Sequence, residues 1–189
     1  MKKKTKNNSN KKYRWIINVS ISTFIIAILM SVISEFLMRN LKTFLTFFVL
    51  ILIVLVGIIF DTIGIAVTSA DIKHFNAMAS RKIKGAKYGV KLVSNAGQVS
   101  NFCNDVIGDI AGIVSGSAIA VIVLRLSTGQ TDKLTFLLNI ILSAVIAAIT
   151  VGGKAIGKEI AISKSTDIVH KVGIILEKIE NKTGIKVIK

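Results

Sequence analysis

The chain alternates apolar blocks of bilayer length with short basic segments, and that alternation leaves few folds open to it. The blocks run over about 15–38, 43–69, 105–126 and 134–151. A helix needs ~20 residues to cross about 30 Å of hydrocarbon, and each block is near that length. Within the blocks the apolar residues follow one another instead of forming one stripe, which predicts helices that are apolar on all sides. With 52% hydrophobic residues and a mean hydropathy of +0.67 over 189 residues, the expected fold class is an all-α integral membrane protein. It would have four transmembrane helices and two basic amphipathic juxtamembrane helices. Proline is absent, so any break in a helix must come from the fourteen glycines or from Ser, Thr and Asn.

The chain divides accordingly. Residues 1–14 form a basic cytosolic N-terminus with seven Lys or Arg and no acid. The following block, 15–38, imitates a signal peptide, but it is too long for one and lacks a small-x-small cleavage site, so an uncleaved first span with Trp15 at the interface is expected. Residues 43–181 hold the other three spans and both amphipathic helices, and 182–189 form a tail. Over 71–94, Ile72, Phe75, Ala79, Ile83, Ala86, Val90 and Val93 recur at steps of three and four, with lysines and Arg81 between them. That spacing predicts one amphipathic helix with a basic face, followed by a turn at Ser94–Gly97. Gly152-Gly153 predicts a hinge after the last span. A second amphipathic helix is expected over 165–181, capped at Ser165 or Thr166 and stopped at Gly184.

A formal charge of +15 would suit a nucleic-acid binder, but the lysines are not interleaved with aromatic residues and no reader motif is present. They lie between the apolar blocks. Seven Lys or Arg precede the first span, six separate the second from the third, and eight follow the fourth, against two in each remaining connection. The positive-inside rule then places both termini and the central linker in the cytosol of a multi-pass cell-membrane protein, with the basic helices against anionic headgroups. Cys103 is the single cysteine, so no disulfide within the chain is possible, and no nucleophile elbow, phosphate-binding glycine loop or metalloprotease helix appears. Nothing in the sequence points to an enzyme or an organic cofactor.

Three acids fall inside or at the rim of the blocks: Asp61, Asp105 and Asp109. Ionised side chains are costly in hydrocarbon, so they usually face protein, water or an ion. Asp105 and Asp109 are four residues apart and share one helix face, although Asn104 and Asp105 also suit a helix cap. Gly108, Gly112 and Gly116 repeat at every fourth position on a neighbouring stripe suited to close helix packing. Thr62 adjoins Asp61, and Gly64 permits a local break that would free backbone carbonyls. Asp61, Thr62, Asn104, Asp105 and Asp109 thus form a candidate ligand set of oxygen atoms, the chemistry of a hard cation such as Mg²⁺. His74 and His170 fall on surface helices and read as solvated, and Cys103 reads as a small apolar residue.

The order of these elements resembles the transmembrane domain of the CorB, CorC and CNNM family of magnesium and cobalt transport proteins. The likeness rests on three strings in residues 44 to about 180: Ile59–Ala70, Asn101–Ile110 around the family's Gly-Asn-Asn motif, and Gly153–Ile162. The resemblance implies a homodimer that transports divalent cations. Two family carboxylates correspond to Gly64 and Lys154, and the family's proline to Gly157. The first helix is an addition, and the cytosolic CBS pair and C-terminal domain of the larger relatives have no counterpart in these residues. The alternative is a non-transporting membrane partner subunit that has lost the ion path, with Lys154 in the cation's place.

Overall fold

The computed structural model describes residues 17, 20–36, 41–129 and 131–184, and among them the regular structure is entirely helical. In chain order the helices are α1 (Ser20–Phe36), α2 (Thr43–Ser69), α3 (Ile72–Ser80), α4 (Ala86–Ser94) and α5 (Ala96–Asn101). A π-helical segment, Phe102–Gly108, leads into α6 (Asp109–Leu126), and α7 (Asp132–Ser163) and α8 (Ser165–Thr183) complete the chain. Three helical runs are long and apolar enough to cross a membrane: α2, the run Ala96–Leu126 and α7. The helix within the expected first span, α1, is apolar but shorter, and parts of 15–38 lie outside the described residues.

Two apolar cores hold these helices together. In the first, Leu50 and Val54 of α2 pack with Val106, Ile110, Val114, Ala118 and Ile122 of the π-helical segment and α6. Ile26 and Ala27 of α1 and Leu142 and Ile146 of α7 cover its edges. In the second, Ala66 and Val67 at the end of α2 meet Phe75 of α3, Leu92 of α4, Ala161 of α7 and Val169 of α8. Phe75 is wholly buried, and burial of a side chain that size contributes about 2–3 kcal/mol. At the far end of the first core, Arg125 Nη1 donates to the Leu41 carbonyl at 2.6 Å and to Thr46 Oγ1 at 3.1 Å. Arg125 thereby ties the last turn of α6 to the start of α2, where its charge also complements the helix dipole.

Four expectations need correction. The 71–94 linker forms two helices, because the chain reverses at 81–85 with Lys82 at φ 55° and Gly85 at φ 78°. The third span begins at Ala96, well before Asp105, so Asn104 and Asp105 lie within a continuous helical run and do not cap it. Helix α7 runs unbroken through Gly152-Gly153 to Ser163, so no hinge follows the last span at 151. Nor does Gly64 break its helix, since α2 continues to Ser69. Each of these three polar or glycine-rich stretches packs against a neighbouring helix, and that packing overrides the weak local preference for a turn.

The tail helix ends as expected, at Gly184 with φ 69°, and begins at Ser165 with Lys164 as its cap residue. It docks on the reversal between α3 and α4. Glu177 Oε2 accepts from the Gly85 N–H at 2.5 Å, and a His170 ring nitrogen lies 2.9 Å from the Lys84 carbonyl. Gly173 crosses Gly85 so closely that a Cβ at position 173 would overlap the Gly85 carbonyl.

Candidate functional site

Between the two cores lies a layer of polar and small residues contributed by three long helical runs. On α2 it follows Ile58, which packs on the first core, and overlaps Ile63, which packs on the second. Asp61, Thr62 and Gly64 come from this stretch, Cys103, Asn104 and Gly108 from the π-helical segment, and Lys154 and Gly157 from α7.

Glycines set the approach of the three runs. A Cβ at Gly57 would already press on Ala111, and one at Gly64 would overlap the Asn104 carboxamide. On α7, Gly153 lies against Ile58 and Gly157 against Thr62 Oγ1, each closer than a methyl group would allow. Small residues four apart that let helix backbones approach are a known packing device, and Gly153 and Gly157 have that spacing. The signal was present in the sequence, but the expected stripe was another one. Gly112 and Gly116 of α6 face open space within the chain, and a Cβ at Gly108 would have Lys154 Nζ as its nearest neighbour, at 3.6 Å.

The side chains in this layer are engaged in three different ways. Asp61, with 15% of its side chain exposed, pairs with Lys154 Nζ at 3.6 Å. That distance is an ionic contact, longer than the 2.7–2.9 Å of a charge-assisted hydrogen bond. Thr62 Oγ1 donates to the Ile58 carbonyl at 2.8 Å, so its proton is committed while its lone pairs remain. Asn104 Nδ2 donates to Ser100 Oγ at 3.3 Å, whereas its Oδ1 is buried against Gly64 with no hydrogen-bond partner. A buried, unpaired acceptor normally costs about 1–3 kcal/mol. π-Helical turns are rare and recur at functional sites, where their altered ladder reorients side chains and carbonyls.

No known family, curated protein or solved structure matches the chain. What the layer can do is set by its own residues. Among the five sequence candidates, Asp61 and Thr62 are partly buried on α2 and Asn104 is partly buried opposite Gly64. Asp105 and Asp109 are exposed, as are Gly112 and Gly116. Among the described residues no group of three or more Asp, Glu, His or Cys side chains gathers in one place. The inner layer instead offers one carboxylate, one carboxamide oxygen and one hydroxyl. Each is an oxygen of the kind that a hard cation such as Mg²⁺ takes.

Proposed function

We propose that the protein is a membrane transport protein for divalent cations, Mg²⁺ foremost, with Asp61 as the principal ligand. The observation that carries this reading is the placement of a largely covered carboxylate and an unpartnered amide oxygen in one layer between apolar cores. Thr62 and Asn104 complete the inner donors. Asp105 and Asp109 supply acidic groups on the outward face of the same run. The belt of exposed Ile, Leu, Val and Phe on α2, α6 and α7 supports placing the layer in a bilayer, since exposed apolar area on that scale is uncommon on soluble monomers. The basic residues around α3, α4 and α8 then rest on anionic headgroups on the cytosolic side. Transport would proceed by alternating access of the layer to the two sides.

A titration of Mg²⁺ into the detergent-purified protein, followed by calorimetry, tests this reading. Saturable binding that Asp61→Asn removes is the expected outcome. Absence of saturable binding to the folded protein would overturn it. The competing reading, a partner subunit without transport, draws on one observation, the Lys154 ammonium already beside Asp61. It predicts stability that Mg²⁺ does not change.

The homodimer belongs to the same proposal. Asp105, Asp109, Gly112 and Gly116 present acids and bare backbone outward from a membrane-length run, and a second copy would cover both. A Cβ at Gly112 or Gly116 has nothing within 4 Å, so folding should survive leucine at both positions. The expected result is loss of the dimer, measured by light scattering in detergent or by cross-linking in liposomes. A dimer that persists in this double variant would move the interface elsewhere.

A further inference from the structure

Lys154 reaches the polar layer from α7 and places its ammonium beside Asp61 and next to the bare Cα of Gly108. Two features make this contact reversible. Its 3.6 Å length leaves no hydrogen bond to break, and 32% of the lysine side chain is exposed. The contact also neutralises the single carboxylate of the inner layer, so the layer as it stands carries no net charge with which to attract a cation.

We infer that Lys154 is a tethered cation that occupies the site, and that a divalent ion reaches Asp61 only by displacing it. This rests on the divalent-cation reading and adds its regulation. One mobile positive charge inside the protein substitutes for the transported ion when the site is empty, so the carboxylate is never left bare between apolar cores. Divalent ions compete better than monovalent ones, because they bring twice the charge to the same carboxylate. The lysine therefore sets a threshold concentration for binding and favours Mg²⁺ over K⁺ and Na⁺.

The test is thermal unfolding of the purified protein over a range of MgCl₂, for the wild type, Lys154→Gln and Lys154→Arg. Removing the competing charge should lower the Mg²⁺ concentration for half-maximal stabilisation by about fivefold in the glutamine variant, the size of a partly exposed ion pair. Arginine, which keeps the charge, should stay near the wild type. A second readout does not depend on a variant: acylation of Lys154 Nζ by an amine-reactive ester, followed by mass spectrometry, should rise as Mg²⁺ saturates the wild-type protein. Midpoints that agree within twofold between wild type and Lys154→Gln, with acylation indifferent to Mg²⁺, would overturn the tethered cation and leave the cation site standing. Folded protein that Mg²⁺ stabilises in none of the three forms would overturn both.

Discussion

Asp61→Asn is expected to lower Mg²⁺ flux at least about 100-fold, because loss of an outer partner of a metal ligand already costs 10–100-fold and Asp61 is proposed as the ligand itself. The substitution keeps the size and one acceptor oxygen of the side chain but removes its charge. It also strands Lys154, which sits 3.6 Å away, so a modest loss of stability should accompany the loss of flux. The double variant Asp61→Asn/Lys154→Gln separates the two effects. Restored stability without restored flux is the predicted result. Flux that returns when the lysine is neutralised would show that the acid served only to hold Lys154, and would remove Asp61 from the ligand set.

The largest effect on stability is expected at Gly173 in α8. Alanine there gains about 1 kcal/mol of helix propensity over glycine. Against this, its Cβ would overlap the carbonyl of Gly85 and crowd the Gly89 nitrogen, atoms of backbone that cannot rotate aside. Forced overpacking costs typically 1–3 kcal/mol and occasionally more. The clash should win, lowering the unfolding temperature by about 3–6 °C and opening the 81–85 reversal to proteolysis. Gly97→Ala is the matched control, since nothing lies near a Cβ at that position and only the propensity gain applies. A Gly173→Ala protein at least as stable as Gly97→Ala would contradict the docking of α8 on Gly85.

Much of this architecture was legible in the residues, and the rest was not for identifiable reasons. The three long apolar runs stand out because nothing but apolar residues fills them, and their existence needs no knowledge of their neighbours. Their ends were harder. Residues 96–104 contain Gln98, Ser100, Asn101 and Asn104 and fall before the expected start of the span, yet Ala96 and Val99 pack on the second core and Val106 on the first, drawing the segment into the helix. Gly152-Gly153 and Gly64 read as breakers, yet Gly153 and Gly64 each face a neighbour that occupies the space of a Cβ, Ile58 in one case and Asn104 in the other, and both stretches stay helical.

The candidate site was legible in part. Asp61 is conspicuous as an acid following a long apolar run. That Asp105 and Asp109 share a face follows from helix periodicity, but which way that face points depends on the rotation of the helix, which the packing of Val106, Ile110 and Val114 decides. The pairing of Asp61 with Lys154 joins positions 93 residues apart, and no local spacing announces it. The π-helical turn leaves no recognisable pattern in Phe102–Gly108 either. The glycines that matter most for the site, Gly64, Gly153 and Gly157, were outshone by the more regular Gly108, Gly112 and Gly116.

Whether the polar layer carries ions is decided by Mg²⁺ entry into proteoliposomes that contain only this protein, read from a Mg²⁺-sensitive dye trapped inside. Saturable entry above that of empty vesicles, absent with Asp61→Asn at equal protein content, is the expected result. Entry no faster than in empty vesicles, from protein shown to be folded and inserted, would contradict it and leave the polar layer as a fixed ion pair between helices.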